Sequence, residues 1–182
     1  HLQVQDLCEA KKRLEVVIAE MDRIMARKFK ETYIQVDQAF QEVFVQLFGG
    51  GKAELVLCEP ESLLETGVEI IAQPPGKKTQ NLSLLSGGER ALTAIALLMA
   101  MLKVRPSPFC VLDEIESNLD ETNISRFTDL LTRFAEETQF IVISHRKGTM
   151  EVGHVLYGVT MEETGVSRLV SVKLEDAQKE AS

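Results

Sequence analysis

The chain has 182 residues, of which 45% are apolar and 26% are charged, and its formal net charge is −8 at pH 7. This length and apolar content suffice for one full hydrophobic core with an appendage. The negative charge argues against DNA or an anionic membrane surface wrapping the whole molecule, because such binding needs a positive surface.

The cysteines and the apolar runs predict a cytoplasmic protein. Cys8, Cys58 and Cys110 are odd in number and show no C-x-x-C spacing, which favours a reducing compartment. The longest apolar stretch, residues 91–102, is shorter than the roughly 20 residues that span a bilayer, and the N-terminus has no signal-peptide pattern. The chain begins at His1 rather than Met, so we expect a fragment or a processed form.

The N-terminal segment has a heptad pattern that predicts a coiled-coil stub over residues 1–28. Its a and d positions hold Val4, Leu7, Leu14, Ile18, Met21 and Met25. Because no second heptad segment follows, the partner helix is expected in another stretch of the polypeptide or in another chain. The alternative is a single amphipathic helix docked on its own domain.

A globular lobe is predicted over residues 29–182. From Tyr33 the apolar stripe widens, as on a helix that packs on a core, and Gly49–Gly51 is expected to end that helix. Two short runs, residues 53–58 and 68–72, are typical of edge or antiparallel strands, and a Pro-Pro-Gly turn follows them.

The second half of the chain alternates helix and strand, which predicts a parallel α/β sheet. The predicted order is helix 88–103, strand 109–112, helix 123–136, strand 140–143 and a closing hairpin, 155–161 with 167–174. The hairpin turn contains Gly165. The polar tail from residue 175 is expected to fray.

The start of the first of these helices is a candidate phosphate site. Ser86 and Glu89 have the spacing of a capping box, which alone would be a structural feature. Gly87 and Gly88 lie between them and leave the helix N-terminus free of side chains, where backbone N–H groups and the helix dipole favour an anion. The apolar helix behind this tip is expected to be buried on nearly every side and to hold it rigidly.

Two adjacent carboxylates follow the apolar run Phe109–Leu112, which predicts a buried strand. Ligands bind at the carboxyl ends of strands in open α/β sheets. Since neighbouring residues on a strand face opposite sides, Asp113 is predicted to face a Mg²⁺ ion and Glu114 an attacking water. The alternative is a pair of acids that cap the following helix.

The next strand ends in Ser144 and His145, at the same edge of the predicted sheet. A histidine there can donate a hydrogen bond to a terminal phosphate oxygen and help to position water. Asp120 opens the helix between the two strands, where N-capping is an equally good interpretation.

The phosphate-binding loop G-x-x-x-x-G-K-[ST] does not occur in these 182 residues. Gly51-Lys52 is followed by Ala53, and Ile71 stands where Gly76-Lys77 would need its first glycine. The sequence therefore predicts half of an ATP-hydrolysing site.

These motifs together resemble the signature, Walker B, D-loop and switch-histidine motifs of ABC-type ATPase heads. Specifically, the chain resembles the C-terminal half of the head of bacterial SMC chromosome-segregation proteins. The resemblance covers essentially all of the chain. The residues that carry it are Leu85–Arg90, Phe109–Glu114, Leu119-Asp120 and Ser144–Arg146, with Leu47–Gly51, Ala72–Lys78 and His145–Met150 as more specific stretches.

The resemblance implies a fold, a reaction and a set of partners. The fold would be an α/β C-terminal lobe of an ABC-type head, completed by an N-terminal half that carries the missing loop. Two heads would sandwich two ATP molecules with Mg²⁺, and hydrolysis would drive DNA entrapment, chromosome condensation and segregation. A kleisin subunit would bind the head, and the protein would act at the nucleoid. No membrane is implied.

The resemblance also assigns roles to residues. Asp113 would be the magnesium-associated acid, Glu114 the catalytic base and His145 the switch residue. The residues that would face a nucleotide are Leu85, Ser86, Gly87, Gly88, Glu89, Asp113 and Asp120, with Ser86, Gly87 and Gly88 contacting the γ-phosphate bound on the opposing head and Asp120 working across the same interface.

Other interpretations stay open. A RecN-like repair ATPase shares this head plan. A zinc-hook repair ATPase is not distinguished by the absence of a hook, since the hook would lie in coiled coil outside this sequence. A non-hydrolysing coiled-coil module is the main alternative from another class, although the intact Glu114 disfavours it. A transporter subunit fits less well because a coiled-coil segment precedes the signature. The isolated chain is expected to be nearly inactive.

Overall fold

The structure, a computed structural model, describes residues 2–163 and 165–173, and it divides the chain into two units, His1–Pro106 and Ser107–Ser182. In the first unit the elements are α1 (Leu2–Phe48), β1 (Lys52–Leu57), β2 (Val68–Gln73), β3 (Gln80–Asn81), a 3-10 turn (Leu82–Leu84) and α2 (Gly87–Val104). In the second they are β4 (Phe109–Asp113), α3 (Glu121–Phe134), β5 (Gln139–Ile143), α4 (Lys147–Glu151), β6 (Val155–Glu163) and β7 (Val166–Lys173).

The helix α1 has two different halves. The six heptad residues from Val4 to Met25 are 49–70% exposed, so this stripe has no cover within the described chain. Toward its end the helix buries a run of large side chains that packs on α2 and β1, namely Ala39, Phe40, Val43, Phe44, Leu47 and Phe48. The helix is continuous across residue 28, and the boundary between stub and lobe stays a prediction.

Glycines end α1, as predicted. Gly49, Gly50 and Gly51 all have positive φ. A Cβ on Gly51 would lie 2.3 Å from the Gln73 carbonyl oxygen, so only glycine fits between α1 and β2. This close approach brings the end of the helix against the sheet.

The first unit contains an antiparallel sheet in the order β1-β2-β3, with Lys52 opposite Gln73 and Leu57 opposite Val68. The antiparallel pairing of β1 and β2 confirms the sequence prediction. Side chains of α1 cover the free edge of β1. The Asp37 carboxylate accepts the Leu55 N–H at 2.7 Å, and the Tyr33 hydroxyl donates to the Leu55 carbonyl.

The helix α2 buries one face and not its whole circumference. Leu92, Ile95, Ala96 and Met99 are buried, whereas Met101 is 46% exposed. The prediction that this helix is buried on nearly every side is therefore wrong, because α1 covers only one of its faces in this unit.

The second unit contains the predicted parallel pair of strands, with Phe109 opposite Gln139 and Asp113 opposite Ile143. Only one face of β4 is covered. Leu112 is buried, but Phe109 and Val111 are more than half exposed, so the prediction of a fully buried strand is wrong for that face.

The remaining elements agree largely with their predicted positions. The helix α3 packs its apolar stripe inward, and β6 pairs with β7 as an antiparallel hairpin around Gly165. The short helix α4 is not predicted by the sequence pattern, since five residues give no periodicity. Leu174, assigned to the hairpin, and the tail from residue 175 lie outside the described residues.

No helix in the described part of the chain is long and apolar enough to cross a membrane.

Candidate functional site

The first candidate region is the N-terminus of α2, residues Ser86–Glu89, here named the α2 tip. Ser86 is the N-cap in an extended conformation and forms the predicted capping box with Glu89. The Glu89 carboxylate accepts the Ser86 backbone N–H at 3.1 Å and the Ser86 hydroxyl at 2.6 Å. Apart from the neighbouring residues and the backbone of α2 itself, no atom of the described residues lies within 4 Å of the place where a Cβ of Gly87 would be. The tip is therefore rigidly held yet open in front.

Glu89 brings a negative charge to a helix end that is expected to bind an anion. Lys77 neutralises it, with Nζ 2.9 Å from the carboxylate. The hydrogen bond from the Ser86 hydroxyl and the contact with Lys77 lower the pKa of Glu89, although burial opposes this. Glu89 is therefore a carboxylate whose charge is balanced within the same unit. The role of Lys77 is not predicted by the motif, because the pair is twelve residues apart.

Arg90 holds the segment that precedes the tip. Its guanidinium donates to the carbonyls of Ser83 and Leu85 at 3.3 and 3.2 Å. Leu85 itself is buried. The nucleotide-facing role expected of Leu85 therefore concerns its backbone and not its side chain.

The second candidate region lies where β4 and β5 end, and comprises Asp113, Glu114, Glu116, Ser144 and His145, here named the strand-end cluster. Asp113 is the last residue of β4 and lies on the same exposed face as Phe109 and Val111. Glu114 has a φ of 47°, the only positive φ of a non-glycine residue in the described chain. Strand alternation therefore ends at Asp113 and does not set the direction of Glu114, contrary to the argument from neighbouring strand residues.

Glu114 and His145 lie close together, as expected of neighbouring parallel strands. His145 Nδ1 is 3.5 Å from Glu114 Oε1, and the two side chains are 64% and 56% exposed. The Glu114 backbone N–H donates to the Ile143 carbonyl at 2.9 Å and so extends the strand pairing by one residue. A base and a hydrogen-bond donor thus share one open edge.

Beneath this pair lies a buried acid that sequence reasoning missed. Glu116 is 1% exposed and its Oε1 accepts a hydrogen bond from the Ser144 hydroxyl. Ser144 Oγ in turn accepts the Arg146 N–H at 3.0 Å. A carboxylate three residues beyond a strand end gives no local signal of burial. Its burial becomes evident only from its contact with Ser144, 28 residues away.

Asp120 serves as the N-cap of α3 and accepts the Asn123 N–H at 2.8 Å. This observation supports the capping interpretation. The cap engages one oxygen of Asp120, and a carboxylate has a second oxygen that can accept a hydrogen bond, so the cap is compatible with a second role across an interface.

Within the second unit the structure therefore brings Glu114 and His145 together, with Asp113 at the same strand end. The α2 tip belongs to the first unit. Among the described residues no group of three or more His, Cys, Asp or Glu side chains could hold a metal ion alone. Mg²⁺ bound with a nucleotide needs only one or two carboxylates, because phosphates and water supply its other ligands, and the exposed Asp113 suits that role.

Residues 5–168 match the family model described as "RecF/RecN/SMC N terminal domain". The chain is 63% identical to the chromosome partition protein Smc of Desulfitobacterium hafniense over 98% of its own length. It spans 15% of the length of that relative.

Solved structures give the same result. The chain superposes with a TM-score of 0.82 and 38% identity on a Pyrococcus furiosus Smc head domain with an extended coiled coil bound to the C-terminal domain of ScpA, covering 94% of this chain and 43% of that one. It also resembles, with a TM-score of 0.73 and 38% identity, a chain from structural work on ATP-driven dimerization and DNA-stimulated activation of SMC ATPases, covering 88% of this chain and 94% of that one.

Proposed function

The chain belongs to the bacterial SMC proteins, as the C-terminal half of their ABC-type ATPase head, and we propose that it binds and hydrolyses ATP at an interface between two heads. The observation that carries the proposal is the 3.5 Å approach of His145 Nδ1 to Glu114 Oε1 at the carboxyl edge of the parallel strands. Such an arrangement suits phosphoryl transfer to water, which depends on positioning and electrostatics.

Three residues of the strand-end cluster have a task in this reaction. Glu114 orients the attacking water and accepts its proton, while His145 donates a hydrogen bond to a γ-phosphate oxygen. Asp113 would hold Mg²⁺, which supplies positive charge to the phosphates when it is bound. Both Glu114 and His145 are more than half exposed and so remain accessible to a nucleotide.

The α2 tip would bind the γ-phosphate of a nucleotide seated on the opposing head. Backbone N–H groups at a helix N-terminus, together with the helix dipole, favour an anion. The open space in front of Gly87 leaves room for one. Because Lys77 balances the charge of Glu89, the carboxylate next to the tip does not repel the phosphate. Leu85 would contribute its backbone, and Asp120 would act across the same interface.

A second polypeptide segment is needed to complete the head. The exposed face of the β4–β5 pair is apolar, and contiguous apolar patches of this kind mark interaction surfaces. The residues are Phe109, Val111, Ile141 and Ile143, each 49–57% exposed. We assign this face to the N-terminal half of the head, which would also bring the phosphate-binding loop that is absent from these 182 residues.

Partners follow from the relatives. A similar head domain is bound to the C-terminal domain of ScpA, which supports a kleisin partner, and the work on ATP-driven dimerization and DNA-stimulated activation supports a second head and DNA. The exposed heptad stripe of residues 1–28 would pair with a second helix as a coiled coil, and residues 29–182 would form the lobe. ATP turnover by this complex would drive DNA entrapment, chromosome condensation and segregation at the nucleoid in the cytoplasm.

The test is Glu114→Gln in the head completed by its N-terminal half. Loss of the base should lower ATP turnover roughly 10³-fold, while ATP-dependent head dimers, measured by analytical ultracentrifugation, should persist. The 182-residue chain alone should show almost no turnover, since it lacks the phosphate-binding loop. Unchanged turnover in the variant would show that Glu114 is not the base. A parent head without turnover would support a tether whose nucleotide motifs serve dimerisation only.

A further inference from the structure

The buried Glu116 has no part in the reaction as derived above. It is 1% exposed, and only one of its two carboxylate oxygens, Oε1, is hydrogen-bonded in the described chain. Burying a carboxylate with an unsatisfied oxygen is costly, and a buried polar group of this kind calls for an explanation. A hydrophobic residue of similar volume would fill the same space more favourably.

The position of Glu116 supplies the explanation. The turn after β4 carries Glu114, and the segment after β5 carries His145. The Ser144 hydroxyl, directly before His145, donates to Glu116 and accepts the N–H of Arg146, directly after it. A second bond joins the same two segments, from Arg146 Nη2 to the Ser117 carbonyl at 3.0 Å. The residue between Ser144 and Arg146 is thus fixed on both sides.

The attraction between Glu114 and His145 is too weak to hold the two side chains in place. Both side chains are more than half exposed, and ion pairs at such sites contribute little energy. Glu114 also has a left-handed backbone conformation, which a residue with a Cβ keeps only when its surroundings impose it. The relative position of the two side chains must therefore come from the backbone segments that carry them.

We infer that Glu116 is a positioning residue, which holds His145 against Glu114 by anchoring the Ser144 hydroxyl. Its effect on turnover rests on the proposed function, since it acts through the two residues placed in the reaction. Its effect on the geometry does not depend on that function. A shift of about 1 Å between reacting groups lowers rates about 10²-fold, so the loss of the anchor should be seen in kcat.

The experiment uses the completed head and two matched pairs of variants. Glu116→Ala and Ser144→Ala remove the hydrogen bond and should lower kcat about 10²-fold, with KM for ATP and ATP-dependent dimerisation within about twofold of the parent. Glu116→Gln and Ser144→Thr keep an acceptor and a hydroxyl and should retain kcat within about threefold. Both alanine variants break the Glu116–Ser144 bond, and Ser144→Ala also removes the acceptor of the Arg146 N–H, so the double variant should be no worse than Ser144→Ala alone.

Thr128→Val is the control for general loss of stability. Thr128 is also buried, and its hydroxyl donates to the Ser125 carbonyl at 2.9 Å, away from the strand-end cluster. The Thr128→Val variant should lower Tm without lowering kcat. If both alanine variants keep the parent kcat, or if Thr128→Val loses as much kcat for the same loss of Tm, the inference is wrong.

A spectroscopic measurement separates this inference from the proposed function. The chain has three histidines, so ¹⁵N-histidine labelling of this chain, assembled with an unlabelled N-terminal half, gives ring-nitrogen signals from three imidazoles, and those of His145 are assigned by His145→Gln. Glu114→Gln should shift the His145 signal in the parent but not in Glu116→Ala. Equal shifts in both backgrounds would overturn the inference. A parent head without ATP turnover would refute the proposed function, and the imidazole signals would still decide the role of Glu116.

Discussion

The α2 tip and the strand-end cluster differ in how their carboxylates are neutralised. At the tip, the Glu89 carboxylate accepts a hydrogen bond from the Ser86 hydroxyl, and its charge is neutralised by Lys77. In the cluster, Asp113 and Glu114 are exposed, and His145 is the nearest partner of Glu114. A neutralised helix end is suited to bind a phosphate, whereas an exposed carboxylate is suited to activate water. The comparison predicts that binding between heads and turnover can be separated by mutation.

The strongest test of this separation is Gly87→Leu. A Cβ at this position meets no other part of the described chain within 4 Å beyond its own neighbours and helix backbone, and the leucine would fill the space proposed for the opposing nucleotide. ATP-dependent dimers should become at least about 10²-fold weaker and turnover should fall with them, since the leucine keeps the phosphate from the preorganised backbone donors, and losing one such donor costs about that much. Dimer affinity is measured by ultracentrifugation in a Glu114→Gln background, where ATP persists.

Ala94→Leu is the control for this variant, because Ala94 is an exposed position on the same helix. It should leave dimerisation unchanged, and Tm should be similar in both variants. Stable dimers with Gly87→Leu would remove the proposed role of the α2 tip.

On the other side of the comparison, His145→Gln should affect turnover and spare binding. The glutamine keeps a hydrogen-bond donor but cannot reproduce the imidazole contact with Glu114. We expect kcat to fall about 10²-fold while ATP-dependent dimers form with the parent affinity. His154→Gln serves as the control. A parallel loss of dimers would show that the strand-end cluster also holds the two heads together.

How much of each region the sequence predicts depends on the distance between partners along the chain. Ser86 and Glu89 are three residues apart, so the capping box could be predicted from spacing alone and is confirmed. Glu116 and Ser144 are 28 residues apart, and their contact depends on the register of β4 and β5, which no local pattern encodes. The strands themselves could be predicted, but not which of their faces stays uncovered, because the apolar run Phe109–Leu112 does not distinguish a strand covered on one face from one covered on both.

A smaller effect is expected at the charge balance of the tip. Lys77→Ala should weaken ATP-dependent dimers about three- to fivefold, because an ion pair with a half-exposed lysine contributes at most about 1 kcal/mol. The neighbouring Lys78→Ala is the control, and raised salt should shrink the difference between parent and variant. If both variants weakened the dimers equally, the effect would come from the net charge of the protein and not from the ion pair with Glu89.

The same pair makes stability depend on pH. The pKa of Glu89 is lowered from 4.5, first by the Ser86 hydroxyl and then by Lys77. A lowered pKa in the folded state stabilises the fold above the unfolded pKa, and this contribution is lost as the pH falls through the folded value. Below pH 4.5 the parent should therefore lose its advantage over Lys77→Ala, as measured by urea unfolding. A constant difference down to pH 2 would show that Lys77 acts without Glu89.

The smallest effect concerns a contact that belongs to neither region. Tyr33→Phe removes the hydroxyl that donates to the Leu55 carbonyl on the edge of β1, and should lower the free energy of unfolding by about 1 kcal/mol. Dimerisation and turnover should not change. Tyr157→Phe is the control, because that side chain is 66% exposed and surface changes usually stay within about 0.5 kcal/mol.

The contribution of Tyr33 to stability also depends on pH, with the opposite sign to that of Glu89. Burial first, and then the charges of Asp37 and Glu54, raise the pKa of Tyr33 above 10.0. The protonated hydroxyl is the one that donates to Leu55, so its contribution is present below pH 10.0 and is lost as the pH rises through the higher folded pKa. The stability difference between the parent and Tyr33→Phe should therefore close at alkaline pH. The contrary result would be that Tyr33→Phe lowers kcat while Tm stays constant. That result would show that the part of α1 around Tyr33 acts on turnover, so that hydrolysis would depend on this helix as well as on the strand-end cluster.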